Sequence, residues 1–234
     1  MLDHGHVDIA VTRDGDKFRT RLKDETAIVD KKTVERPLDD VVLAIHNNAL
    51  RPRPEALKGK DFDYLGEDKF FLLPQTQEQS IIWPGYNTQA LDYQDYKDGT
   101  VTLNIKPVEM PDGAQVGLFT TEGLGKGFTP LINSAEGDYS IETTFASHTH
   151  TNWAFTKPGM YKLEVSYSAT TTDGKEIASE PQTLTVAAGD AAIKDCVSAK
   201  DGNEGGNKGE GNDKPGSTKP NDNKSSGEKD MKSS

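Results

Sequence analysis

Apolar and polar residues alternate with a period of two through most of this chain, and no other feature constrains its fold as strongly. In "HGHVDIAVT" the residues Val7, Ile9 and Val11 are apolar, while the residues between them are mostly polar. The same alternation recurs in "TVTLNIK" and "MYKLEVSYS". Successive side chains of a β-strand point to opposite faces of a sheet, so the pattern is typical of strands that are buried on one side.

Other segments share the composition of strands and are separated by Asp-Gly and Pro-Gly turn signals. They are "DKFRTRLK", "DVVLAIH", "KFFLLP", "SIIWPG", "QVGLFT", "YSIETTF", "NWAFT" and "EPQTLTV". We therefore predict an all-β fold. Residues 95–188 resemble an immunoglobulin-like β-sandwich, since "KPGMYKLEVSYSA" and "EPQTLTV" have the pattern of its last two strands. Residues 1–94 are predicted to form an N-terminal β-rich part.

Two segments do not fit the alternation. Residues 47–69 carry prolines and charges, and we predict a long connection with at most one short helical turn, of a length that is often functional. Residues 189–234 are predicted to form a disordered hydrophilic spacer. From Ala199 onward this segment has seven lysines against seven acidic residues and almost no apolar side chain, so it cannot offset the entropy cost of ordering.

The charge of the chain excludes several functions. The formal net charge is −11 and the spacer from Ala199 is neutral, so the acidic excess belongs to residues 1–198. Nucleic acids and anionic membranes are bound through clustered Lys and Arg, which this body lacks, whereas a cation would be attracted. No Ser-His-Asp, Cys-His or paired-carboxylate arrangement stands out, and we predict that the protein is not an enzyme.

Four of the five histidines form two His-x-His pairs. One pair is His4 and His6 in "HGHVDIAV", and the other is His148 and His150 in "SHTHTNWAF". Residues i and i+2 of a strand lie about 6–7 Å apart on one face. Val7, Ile9 and Val11 define the core face of the first strand, so the first pair and Asp8 are expected on the opposite face.

The second pair is expected to behave in the same way if its strand runs unbroken. Trp153 and Phe155 would then face the core, and His148, His150 and Asn152 would share the other face.

Imidazole nitrogens suit Zn, Cu, Fe or Ni, and a zinc site typically has four nitrogen, sulfur or oxygen ligands. We therefore predict a transition-metal site, with zinc as the favoured ion and His4, His6, Asp8, His148 and His150 as candidate ligands. The spacing leaves open whether the pairs share one ion or bind apart. It also leaves open that both pairs are solvated strand faces, and that Asp8 orients His6 rather than binding metal.

A second interpretation uses the aromatic residues of "WPGYNTQALDYQDY". Trp83 and Tyr86, with the 47–69 segment, are candidates for a glycan- or protein-binding surface on an adhesin-like module that needs no metal. The alternative for these aromatic residues is packing beside the core and at sheet edges. A purely structural wall protein is a further possibility.

The stretch "THTNWAFTKPGMYKLEVSYSATTTDGK" resembles the choice-of-anchor M domain and the related surface-anchored repeats of actinobacterial surface proteins. The resemblance extends to "HGHVDIAV" and to "FFLLPQTQEQSIIWPGYNT", and so covers most of residues 1–188. The positions that fall on the family's motifs are His6, Asp8, His148, His150, Asn152 and Trp153.

This resemblance implies an exported domain that is held on the cell envelope by a C-terminal anchor. Some members of the family accompany an ABC transporter of the metal-uptake type, so the resemblance implies such a transporter as a partner. The tail ends in "DMKSS" without a sorting motif or hydrophobic anchor. From this we expect either a truncated form or a form released from its attachment.

Overall fold

The structure, a computed structural model, describes residues 1–66, 68–123 and 127–204. Over these residues the chain is mostly β, with three sheets in a sandwich-like arrangement, which confirms the predicted fold class. Each strand that the sequence predicted is present in the structure. Five further strands were not predicted as separate elements, and they are Val34–Arg36, Leu50–Pro52, Phe128–Asn133, His148–His150 and Glu176–Ala178.

Sheet I has five strands in the order β12-β7-β1-β2-β3. Strand β1 pairs with β2 as an antiparallel hairpin and with β7 in parallel, and β12 pairs antiparallel with β7 at the edge of the sheet. The strands are β1 (Gly5–Asp14), β2 (Lys17–Asp24), β3 (Val34–Arg36), β7 (Ile82–Asn87) and β12 (His148–His150).

Sheet II has five strands in the order β10-β9-β13-β6-β5. All its pairings are antiparallel, and β13 lies in the centre between β9 and β6. The strands are β5 (Leu50–Pro52), β6 (Lys69–Leu73), β9 (Val116–Thr121), β10 (Phe128–Asn133) and β13 (Asn152–Phe155).

Sheet III has six strands, five of them in the order β11-β8-β14-β16-β4, with β15 paired to β14. The long strand β14 joins β8 and β16, and β4 adds to β16 in parallel. The strands are β4 (Val42–Ile45), β8 (Val101–Glu109), β11 (Ser140–Thr143), β14 (Gly159–Thr170), β15 (Glu176–Ala178) and β16 (Gln182–Ala188).

The core lies between these sheets. Val7, Ile9 and Val11 of β1 pack in one apolar cluster with alternate residues of β8, β14 and β16. The hydroxyl of Tyr167 on β14 donates to the carbonyl of Ile9 at 2.8 Å, so even the polar end of this buried ring is satisfied. The predicted alternation of β1 is therefore confirmed, and the residues between these apolar ones face away from the core.

The sequence left open whether residues 1–94 and 95–188 form two domains or one composite body, and the strand pairing does not separate the two segments. Each of the three sheets combines strands from residues 1–94 with strands from residues 95–188. The large core cluster also draws on both segments. Alternation shows which face of a strand is buried but not which strand lies beside it. The division of the chain at residue 94 was therefore based on sequence order and not on strand pairing.

The 47–69 segment is more ordered than we predicted. It contains strand β5 and three 3-10 helices, Asn47–Ala49, Glu55–Leu57 and Lys60–Leu65. Leu57, Phe62 and Leu65 form a small second core with Phe70 and Phe119 on sheet II. Leu57, Phe62 and Leu65 are spaced irregularly along the chain. The search for a strand or helix period therefore did not predict that they pack together. Elsewhere in the described residues, 3-10 helices span Leu38–Asp40, Tyr93–Asp95 and Lys97–Gly99.

The predicted spacer begins with an α-helix, α1 (Asp190–Glu204), where we expected disorder. Good helix formers at its start, Ala191 and Ala192, favour this structure. Asp190 holds the helix to the body through a 2.8 Å contact with Nδ1 of His46. Residues 205–234 lie outside the described residues. Within the described part of the chain, no helix combines the length and apolar character needed to cross a membrane.

Candidate metal centre

The pairing of three strands in sheet I brings histidines from both ends of the chain together. Asp8 of β1 and His150 of β12 are both register partners of Gly85 on the central strand β7. Two positions away along β7, Trp83 is the register partner of His6. All these residues occupy the face of sheet I opposite to Val7, Ile9 and Val11, because their register follows the two-residue period of the strands.

Four side chains converge above Gly85. The Oδ1 atom of Asp8 lies 3.1 Å from Nε2 of His6, 2.9 Å from Nε2 of His148 and 3.9 Å from Nε2 of His150. Nε2 of His148 lies 3.2 Å from that of His6 and 3.1 Å from that of His150. One ligand atom of each residue lies within 4.8 Å of the other three, a grouping that could hold a metal ion.

These separations fit a tetrahedral ion. Two ligand atoms that each lie about 2.0–2.1 Å from a tetrahedral metal are about 3.3–3.4 Å apart. The measured contacts of 2.9–3.9 Å bracket this value. The donor set is three imidazole nitrogens and one carboxylate oxygen, which suits first-row transition metals better than calcium or magnesium.

Gly85 provides the space for this group. A Cβ atom built on Gly85 would lie 2.6 Å from Oδ1 of Asp8 and 2.8 Å from Cε1 of His150. Both distances are shorter than van der Waals contact, so any other residue at this position would displace the ligand side chains. A glycine within a strand often marks such a close approach.

Glu25 orients the ring of His6. Its Oε2 atom lies 2.6 Å from Nδ1 of His6, so that Nδ1 donates the hydrogen bond and Nε2 faces the centre. The hydrogen bond from His6 to Asp8 raises the pKa of His6, burial opposes this, and Glu25 raises it further. A carboxylate behind a ligating histidine is the usual way in which proteins fix the tautomer of such a ring.

Asp8 is fully buried although it is charged. Burial opposes ionisation, but the hydrogen bond from His6 and the three surrounding histidines outweigh it, so the pKa of Asp8 lies below its ordinary value. Among the described residues, its second oxygen, Oδ2, has no hydrogen-bond partner. A buried carboxylate with an unsatisfied oxygen costs free energy, which a bound cation would recover.

His150 stacks on the indole ring of Trp83. The two ring centroids are 3.5 Å apart with an angle of 8° between the planes. The indole is itself fixed, since its Nε1 donates to the carbonyl of Gln75 at 3.0 Å. Burial, together with the nearby charge of His6, lowers the pKa of His150 to about 4. Its ring is therefore neutral at physiological pH, as a metal ligand must be.

His4 lies outside the group, although the spacing predicted that it would accompany His6. Strand β1 begins at Gly5, whose φ of +87° interrupts the extended backbone between the two histidines. The ring of His4 contacts Asp3 instead, with 2.7 Å between Nδ1 and Oδ1. Residues i and i+2 share a face only within a continuous strand, and the strand is interrupted at Gly5 between the two histidines.

Asn152 also departs from the prediction. The strand breaks at Thr151, where the chain passes from β12 in sheet I to β13 in sheet II. Trp153 and Phe155 are buried as predicted. The Asn152 side chain points into sheet II, where it bonds to Phe119 and accepts from the backbone of Gln75. Thus His148 and His150 stay together while Asn152 does not join them.

The aromatic pair proposed as an alternative binding surface is divided between two faces of β7. Tyr86 is buried in the main core. Trp83 faces the histidine group and is covered on one side by His150. The two rings therefore do not form a common exposed platform.

Sequence reasoning missed Glu25 and Gly85, and it gave Trp83 a different role. An isolated glycine in the strand "IIWPGYN" was a usable signal for Gly85, but no local pattern marks Glu25 as a neighbour of His6. No model of a known protein family matches this chain, and no curated protein matches it either.

Proposed function

We propose that this protein binds one transition-metal ion through Asp8, His6, His148 and His150. The observation that carries the proposal is the convergence of three imidazole Nε2 atoms on the oxygen of a fully buried carboxylate. Four lone-pair donors this close repel one another unless protons or a cation lie between them. A divalent ion would neutralise Asp8 and occupy all four donors at once.

Zinc fits this donor set best. It accepts nitrogen and oxygen ligands in tetrahedral geometry without a preference imposed by its d electrons. Copper binds most such sites more tightly, so metal availability as well as affinity decides which ion is loaded. Calcium and magnesium require six or more oxygen ligands or several waters, and the three imidazoles disfavour them.

We further propose that the protein works outside the cell, on the envelope, where it captures metal for uptake by a metal-type ABC transporter. Support comes from the sequence resemblance to envelope-anchored proteins. The acidic body, which attracts cations, agrees with such a role.

The test is elemental analysis by mass spectrometry of protein that was purified without a histidine tag. The wild type is compared with the double variant His148→Ala/His150→Ala, and Asn48→Ala serves as a surface control. We expect near-stoichiometric zinc, or another transition metal, in the wild type and the control and none in the double variant. Absence of metal in all three, even after incubation with zinc, would contradict the proposal.

A further inference from the structure

The four proposed ligands are not held equally firmly. The side chain of Asp8 is 0% exposed, that of His150 is 10%, that of His6 is 16% and that of His148 is 34%. The solvent therefore reaches the centre chiefly on the side of His148. An ion that enters or leaves must pass the ligand that lies between it and water.

Three of the ligands have support beyond the centre. Asp8 lies within β1, which is paired on both sides by β2 and β7. His6 is bound behind its ring by Glu25 at 2.6 Å. His150 is stacked on Trp83, and Gln75 in turn fixes the indole. Movement of the His6 or His150 ring would break contacts that do not involve the metal, and the Asp8 side chain is fully buried on a strand that is paired on both sides.

His148 has no comparable support. In the described part of the chain, the hydrogen bonds of its ring all run from Nε2 to the other atoms of the centre, at Asp8, His6 and His150. It lies on β12, a three-residue strand whose one partner among the described strands is β7, at the edge of sheet I. The residue Phe145, three positions before it, is 67% exposed. An edge strand with so few pairings opens at little cost.

We infer that His148 is the ligand that moves away to admit and release the ion, so that the metal is exchangeable cargo rather than a permanent structural element. This inference rests on the proposed metal-binding function. Asp8, His6 and His150 form a supported three-ligand set that keeps the ion while the fourth position is open. Three protein ligands with one open position is also the arrangement by which zinc sites accept an incoming ligand.

The inference is tested by the rate at which bound cobalt(II) or zinc passes to an excess of a chromophoric chelator in a stopped-flow instrument. His148→Ala and His150→Ala are matched variants, since they remove the same side chain two positions apart on one strand. We expect His148→Ala to bind one ion and release it at least about tenfold faster than wild type, because ligand loss acts mainly on dissociation. We expect His150→Ala to lose stoichiometric binding.

His148→Gln and the far-UV circular dichroism of each metal-free variant separate ligand loss from misfolding. Equal losses in the two alanine variants, or a stable complex only in His150→Ala, would overturn the role of His148. A wild-type complex that gives up no ion to the chelator over hours would show a structural metal and overturn exchange. A wild type that binds no ion would overturn the proposed function itself, an outcome distinct from the other two.

Discussion

The two His-x-His segments have the same spacing but contribute differently to the centre. The opening segment, His4 to Asp8, supplies one histidine and the carboxylate, whereas the later segment supplies both His148 and His150. Each segment carries a further polar residue two positions on, Asp8 in one and Asn152 in the other. Asp8 joins the group and Asn152 turns into sheet II. The spacing of the histidines therefore identifies candidate ligands. The continuity of the strand determines which of these side chains lie together on one face.

The largest effect is expected from Asp8→Asn. This change removes the negative charge of the carboxylate that contacts all three rings. The loss of one partner from a buried ionic group costs about 4 kcal/mol. The dissociation constant for zinc should rise about 1,000-fold. Competition with a chromophoric chelator measures this dissociation constant.

Asp14→Asn, at the exposed end of the same strand, is the matched control and should bind zinc as tightly as wild type does. If Asp8→Asn bound nearly as tightly as the control, the opening segment would act through its histidine alone.

Gly85→Ala should have the next largest effect. The added methyl would meet Oδ1 of Asp8 at 2.6 Å and force the two segments apart. Overpacking of this kind costs about 2 kcal/mol, which corresponds to about 30-fold weaker binding. Gly59→Ala is the control, because a Cβ there meets nothing within 4 Å. Isothermal titration with zinc compares the two, and equal affinities would mean that the ligands do not close over Gly85.

The histidines of the two segments also differ in pKa, and this difference predicts how metal affinity depends on pH. Hydrogen bonding to Asp8, with help from Glu25, raises the pKa of His6 above 6.5, whereas burial lowers that of His150 to about 4. A proton on Nε2 of His6 competes with the ion. Affinity should therefore begin to fall while the pH is still above 6.5 and should decline further on acidification, with His6 titrating before His150.

Glu25→Gln tests this assignment. Loss of its charge lowers the pKa of His6, so the decline in affinity should begin at a lower pH than in the wild type. At neutral pH the weaker orientation of the ring should cost about tenfold in affinity. Glu35→Gln, an exposed change on β3 of the same sheet, is the control. An unchanged pH profile in Glu25→Gln would show that Glu25 does not act through His6.

The smallest effect is expected from His4→Ala. Its exposed contact with Asp3 contributes little, so zinc affinity should stay within about twofold of wild type, whereas His6→Ala should lose tight binding. Titration of both variants side by side is the measurement. Similar losses in the two variants would mean that the opening pair acts as a unit and that the turn at Gly5 does not separate its rings.

The strands could be predicted from local alternation because a half-buried strand reveals its buried face in its own sequence. Val7, Ile9 and Val11 gave the core face of β1 correctly. The partner of each strand depends on contacts between distant residues, and for that reason the mixing of both segments in all three sheets was not predicted. Leu57, Phe62 and Leu65 follow no regular period, and their packing on sheet II was therefore not predicted either.

The centre was predicted in part for the same reason. Rarity and spacing of histidines identified His6, His148 and His150, and adjacency on one face identified Asp8. His4 was grouped with His6 by spacing but lies outside the group, because the positive φ of Gly5 cannot be read from the spacing of the histidines. Glu25 directly follows β2, and the pairing of β2 with β1 places its side chain beside His6. A residue of this kind can be found only once the register is known.

Metal binding by these four side chains would be seen directly in an anomalous difference map at the zinc absorption edge, from crystals grown with one equivalent of zinc. We predict a single strong peak about 2.0–2.2 Å from Oδ1 of Asp8 and from Nε2 of His6, His148 and His150. A peak at another place in the protein, or no peak above Gly85, would contradict metal binding by these residues.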